Sequence, residues 1–173
     1  MKHYLLFFCL ISLPLFSTAQ NTDPDIAVRL GSMYHYQEDF DMPLTFGAGA
    51  EARLGQRFTI GGDITAGADD NNRITHVNPH LRFYPKRAFR GFFVKAGMGY
   101  TQVKSKNNGP LGYPFDFDRG SKASYLTPEI GIGFSTLVKD HWTIGFSLSL
   151  NSVFDDDLYG AGISSAFQVG YAF

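Results

Sequence analysis

The chain has 173 residues, one domain's worth, with 15 basic and 16 acidic side chains, and so lacks the basic excess that nucleic-acid binding demands. Aromatics make up 16% and glycine fills 19 positions, both above ordinary usage. No long apolar run follows the first twenty residues, which excludes a bundle of membrane helices and points to an all-β chain.

The first predicted element is a targeting segment. Lys2 and His3 form a short basic start, and Tyr4 to Phe16 is a mostly apolar run of 13 residues. Ser17-Thr18-Ala19 then offers small residues for cleavage after Ala19. Such a run is too short to span a membrane as a helix and fits a secretory signal. Residues 1–19 are therefore expected to be a signal peptide and 20–173 one barrel domain. Cys9, the only cysteine, leaves with the signal, so no disulfide framework remains.

Beyond residue 25 the hydrophobic period is two, in eight segments of the length a tilted membrane strand needs. The first, Asp25 to Tyr36, sets Ile26, Val28, Leu30, Tyr34 and Tyr36 against Ala27, Arg29, Gly31 and His35. The second, Leu44 to Leu54, sets Leu44, Phe46 and three alanines against Thr45, Gly47, Gly49, Glu51 and Arg53. The third, Phe58 to Ala68, opposes Phe58, Ile60 and Ile64 to Thr59, Gly61, Asp63 and Thr65. The fourth, Thr75 to Tyr84, opposes Val77, Leu81 and Phe83 to His76, Asn78, His80 and Arg82. The fifth, Phe92 to Val103, opposes Phe92, Val94, Met98 and Tyr100 to Lys95, Gly97, Gly99 and Thr101. The sixth, Tyr125 to Leu137, opposes Leu126, Ile130, Ile132 and Phe134 to Thr127, Glu129, Gly131 and Gly133. The seventh, Trp142 to Val153, and the eighth, Ala161 to Phe173, continue the pattern.

The apolar face of every segment is nearly free of charge, while the other alternates charge with glycine. Charges beside glycines make a poor hydrophobic core but a good packed polar lumen, so the apolar set is predicted to face lipid. Short connections alternate with a set that includes the longest, Lys104 to Ser124, as in barrels with short periplasmic turns and longer outside loops. Tyr34, Tyr36, Tyr100, Tyr125 and Phe154 are predicted to form an outer aromatic girdle, and Phe58, Phe83, Phe92, Trp142, Tyr171 and Phe173 an inner one. Pro79 and Pro128 remove ladder donors and are expected at bulges or strand starts.

The predicted lumen holds Arg29, Arg53, Arg82 and Lys95 against Glu51, Asp63 and Glu129, so its charges nearly cancel. Counting residues from the periplasmic ends puts Arg29, Glu51, Asp63, His80 and Lys95 at similar heights and predicts a network among them. His76 and His80 share a face, but on a strand they lie about 13 Å apart, too far for one ion. Asp155 to Gly160 lacks the bidentate glutamate of a calcium loop, since Ala166 stands where it belongs. Neither a metal nor a cofactor is expected, and no catalytic set emerges. The loop Lys104 to Ser124 mixes cations with Tyr113, Phe115 and Phe117, which suits lipid phosphates, a protein partner, or simple packing over the barrel mouth.

NPHLRFYPKRAFRGFFVKAGMGY (Asn78 to Tyr100), YLTPEIGIGF (Tyr125 to Phe134) and FQVGYAF (Phe167 to Phe173) resemble small Gram-negative outer-membrane β-barrels of the OmpX/OmpA-like eight-stranded group. The resemblance implies an eight-stranded antiparallel up-and-down transmembrane barrel in the bacterial outer membrane. It implies a terminal aromatic, here Phe173 with Tyr171 before it, that the barrel-assembly machinery reads. The expected partners are outer-membrane lipids, lipopolysaccharide and that machinery, with the chain a monomer that binds no nucleic acid. The expected role is non-enzymatic, in envelope integrity or binding through the loops. It stands ahead of a narrow conduit for small hydrophobic molecules like OmpW, a lipid A-modifying enzyme, and a soluble periplasmic barrel.

Overall fold

The computed structural model describes residues 24–37, 40–41, 44–68, 72–105, 122–155 and 158–173. The predicted signal peptide lies outside these residues. So do the side chains of His35, Tyr36 and Phe154, most of the loop after Lys104, and the side chains of Asp69–Asn72 and Asp155–Asp157.

The strands are β1 (Ile26–Gln37), β2 (Phe40–Asp41), β3 (Thr45–Arg53), β4 (Phe58–Ala68), β5 (Asn72–Phe83), β6 (Gly91–Ser105), β7 (Lys122–Val138), β8 (Trp142–Asp155) and β9 (Leu158–Ala172). Two-residue β2 folds back onto Tyr36 and Gln37. The other eight pair in chain order, all antiparallel, and β1 also pairs with β9. The closing seam runs from Ala27 opposite Ala172 to Gln37 opposite Gly162, with Val28 facing Tyr171 and Leu30 facing Val169. Closure is what lets a sheet cross hydrocarbon, where each unpaired backbone group costs several kcal/mol. Toward the loops β5, β6 and β7 start earlier or run later than the alternation predicts, because polar pairs such as Thr75–Gln102 continue the ladder past the apolar belt.

Period two sorts the side chains. Leu30 at 67%, Phe46 at 63% and Phe92 at 75% exposure would be costly in water. They belong to a belt on every long strand that includes Ile60, Ile64, Ile130, Leu148 and Phe167, the lipid face of a membrane barrel. The opposite parity buries Arg29, Glu51, Asp63, His80, Arg82, Lys95 and Glu129. Tyr125 departs from expectation. It shares parity with Thr127 and Glu129, so it points into the barrel and is buried, not part of the outer girdle.

Neither proline starts a strand or sits in a bulge. Pro79 pairs with Gly62, while pairing of β5 with β6 lapses only at Asn78 and Pro79. Pro128 pairs with Met98, while pairing of β7 with β8 lapses at Thr127 and Pro128. The register is unchanged across each lapse, so the missing proline N–H breaks the ladder locally without an inserted residue.

Candidate functional site

The buried lumen groups fall into three clusters. In the first, Glu51 on β3 meets Arg29 on β1 (Nη2 to Oε2, 2.5 Å) and Arg82 on β5 (Nη1 to Oε2, 3.1 Å). Thr59 donates its hydroxyl proton to the other carboxylate oxygen of Glu51. Asp63 on β4 lies 3.6 Å from His80 Nδ1 and 4.0 Å from Arg82. Gln168 on β9 closes the circuit, accepting from Arg82 (3.3 Å) and donating to Asp63 (3.4 Å). In the second, Lys95 on β6 pairs with Glu129 on β7 at 2.6 Å, and Asn78 on β5 donates to the same carboxylate. In the third, His76 Nδ1 meets Thr101 Oγ1 at 2.8 Å, and Thr101 meets Thr127 at 3.3 Å.

The grouping predicted from residue heights is thus divided. Arg29, Glu51, Asp63, His80 and Arg82 come together, while Lys95 goes with Glu129. Arg53 lies outside the lumen network. It ends β3 and pairs at the rim with Asp25 through Nε (3.0 Å) and Nη2 (2.5 Å). With Arg53 at the rim, the described lumen carries three cations, Arg29, Arg82 and Lys95, against three carboxylates, Glu51, Asp63 and Glu129. Unpaired, each would cost several kcal/mol in this interior.

Glycine makes room for these side chains. A Cβ at Gly170 would stand 2.6 Å from Arg29 Cγ, and one at Gly97 would stand 2.6 Å from Asn78 Oδ1 and 2.9 Å from the Pro79 carbonyl oxygen. The bare backbone at Gly97 lets Asn78 reach over β6 to Glu129. Gly97→Ala is therefore expected to lose about 1–3 kcal/mol by overpacking, read as a lower urea midpoint in lipid vesicles. An unchanged midpoint would show that the Asn78 bridge has slack.

An apolar layer closes the lumen at the turn end. At the turn end, the segment between β5 and β6 folds inward, burying Tyr84, Ala88 and Phe89 against Ala27, Phe93 and Ala172. The Tyr84 and Phe93 rings are 5.3 Å apart, and the Arg82 guanidinium caps Phe93 at 4.6 Å. Hydrogen bonds fix this plug to the β3–β4 turn, from Tyr84 N to Arg57 O (2.8 Å) and Ala88 N to Gln56 O (2.9 Å). Ser135 holds the Phe89 carbonyl at 3.1 Å, and Phe89 adopts φ 63°, rare for an aromatic residue. Toward the loops, Met33, Ile74, Val103 and Tyr125 are inward-facing and buried. A void of about 10 Å³ beside Arg29, Gly49, Asp63 and Thr65 has room for about one water.

Tyr171 and Phe173 lie at the seam's turn end. Tyr171 stacks on His141 at 5.4 Å and meets Trp142 and Phe173 edge-on. Phe173 donates its N–H to the Ile26 carbonyl (2.8 Å) and accepts from Asp25 (2.7 Å). Among the described residues, no three His, Cys, Asp or Glu side chains are grouped to hold a metal ion.

Sequence reasoning missed the plug, and with it Tyr84, Phe89 and Phe93. The available signal was the parity Phe93 shares with Lys95 and the apolar content of YPKRAFRGFF. It also missed Thr59 and Gln168, whose roles depend on which carboxylate lies within reach.

No protein-family profile and no characterised protein sequence matches the chain. Solved structures do. Neisserial surface protein A superposes with a TM-score of 0.62 over 86% of this chain and 97% of its own, at 9% identity. The attachment invasion locus protein Ail of Yersinia pestis superposes at 0.59 over 88% of this chain and 100% of its own, at 12% identity. Ail in complex with the heparin analogue sucrose octasulfate gives 0.51 at 13% identity, over 86% of this chain and 97% of its own. At such identities the likeness is one of fold, and by fold the chain is a small eight-stranded membrane barrel of the bacterial outer-membrane type.

Proposed function

We propose that this chain is a non-enzymatic integral protein of the bacterial outer membrane, whose barrel is a rigid closed scaffold and whose function lies at its loop end. One observation carries the reading: the lumen is filled by paired charges and capped at the turn end by an apolar layer. An eight-stranded barrel has an interior just wide enough for its own side chains, and here they occupy it. A planar-bilayer measurement tests this. No large, stable single-channel conductance is expected, and steady conductance in the wild type would overturn the scaffold reading.

The second reading, a conduit for small hydrophobic molecules, has one feature in its favour. A hollow of about 410 Å³ lies on the lipid-facing wall, lined by Val94, Ile130, Ile132, Leu148, Leu150 and Ile163. Leu148 and Ile132 are opposite one another across β7 and β8, as are Ile130 and Leu150. Its lining is of the same aliphatic kind as the belt around it, and an acyl chain of the membrane fills it equally well.

A further inference from the structure

Charge is distributed unevenly between the two ends of the barrel. The segments that join strands at the loop end (37–44, 69–73, 104–124 and 154–160) carry ten acidic and five basic residues. Those at the turn end (20–25, 53–58, 84–91 and 138–141) reverse the balance, with six basic and three acidic. The two described carboxylate side chains there are already engaged, Asp25 by Arg53 at 2.5 Å and Asp140 by Arg90 at 2.8 Å. Arg57, Lys86 and Lys139 are exposed, and among the described residues no carboxylate side chain pairs with them.

The three turns that carry these cations are tied into one platform. Tyr84 donates its N–H to the Arg57 carbonyl (2.8 Å) and Ala88 to the Gln56 carbonyl (2.9 Å), which joins the β5–β6 segment to the β3–β4 turn. Arg90 on the same segment reaches Asp140 on the β7–β8 turn. Lys86 lies between Tyr84 and Ala88, both buried in the mouth, so it sits over the end of the barrel and not on its lipid wall. Lys139 is held at φ 52° in a tight turn. We propose that this platform docks a carboxylate-bearing polymer of the periplasm, the peptide-crosslinked glycan of the cell wall. Turns fixed in advance lose little freedom on binding. A polymer that repeats its carboxylates engages several exposed cations at once, which turns individually weak contacts into avidity. Position selects the polymer over an anionic lipid: headgroups ring the wall, whereas Lys86 lies over the mouth that the plug closes and Lys139 at the tip of a turn. The inference rests on the barrel spanning the outer membrane with its turn end in the periplasm, and it is independent of what the lumen and the loops do.

Co-sedimentation with purified cell-wall sacculi tests it, with the folded barrel held in phosphatidylcholine nanodiscs. The wild type is expected to pellet with the sacculi, and R57Q/K86Q/K139Q about eightfold less, as three exposed charge contacts of about twofold each would give. Heat-modifiable gel mobility checks that the variant is folded, and R73Q/K104Q, at the opposite rim, should pellet like the wild type. Sacculi whose carboxylates have been amidated should no longer bind the wild type. Equal pelleting of wild type and triple variant would overturn the proposal, as would equal loss in R73Q/K104Q or undiminished binding to amidated sacculi. A wild type that stays in the supernatant would overturn it outright. In phosphatidylglycerol nanodiscs binding is expected to persist; its loss there would overturn the proposal in favour of anionic headgroups as the partner of these cations. Any of these failures leaves the scaffold reading standing, because bilayer conductance measures that separately.

Discussion

Replacing Glu51 with glutamine is expected to lower barrel stability by about 3–5 kcal/mol, the cost of stranding a buried charge partner. Glu51 is 1% exposed and is the close partner of two guanidinium groups. Without its charge, Arg29 and Arg82 would share the more distant Asp63, which lies 4.0 Å from Arg82 and is also engaged with His80. The amide is nearly isosteric, so the loss is electrostatic and leaves little cavity. Urea unfolding in phospholipid vesicles would measure it, with gel mobility as a check on folding. The double variant Arg29→Gln/Glu51→Gln should recover part of the loss, since neighbours in one ion-pair network couple by about 0.5–3 kcal/mol. If Glu51→Gln unfolds within about 0.5 kcal/mol of the wild type, the lumen pairs do not set the stability of the barrel.

Deleting Phe173 is expected to lower outer-membrane levels sharply in cells, while the purified variant still refolds in detergent. The deletion removes three hydrogen bonds at the seam's end, one to the Ile26 carbonyl and two from the N–H groups of Asp25 and Ile26, and one ring contact with Tyr171. Those are modest losses, about 1 kcal/mol per hydrogen bond, against a seam that pairs from Ala27 to Gln37. A purely structural role therefore predicts a small effect in both settings. A terminal aromatic that is read during assembly predicts a large effect in cells alone. Fractionation of cells alongside refolding of the purified protein separates the two. Normal cellular levels of the shortened chain would refute the assembly role.

The sequence made some of this legible and left the rest out of reach, for physical reasons. Lipid and lumen faces separate because period two puts every charge of β3, β4 and the middle of β6 on the glycine-bearing parity. Closure of the last strand on the first follows from the need to leave no backbone edge in hydrocarbon. The partnering of lumen charges is less accessible. Arg29 and Glu51 come from paired strands, but Asn78 reaches Glu129 across an intervening strand and Arg82 reaches Gln168 from the far wall. Such contacts depend on barrel diameter and on which backbone positions are bare, and alternation carries neither. Arg53 illustrates the limit of parity. It shares Glu51's face but ends its strand, where Asp25 is within reach and the lumen is not. Tyr125 shows the converse, since its parity pointed inward and its aromatic ring drew it into a girdle.

Burial also governs how the barrel's interior meets the medium. Mobile ions weaken charge pairs by gathering around them, and at about 0.15 M ionic strength they do so within about 8 Å. Buried in the lumen, the pairs of Glu51 and Glu129 are screened far less. The exposed Arg90–Asp140 bridge between two turns, at 2.8 Å, has no such shelter. One molecule therefore holds two kinds of electrostatics, an interior that salt weakens little and a rim that follows it.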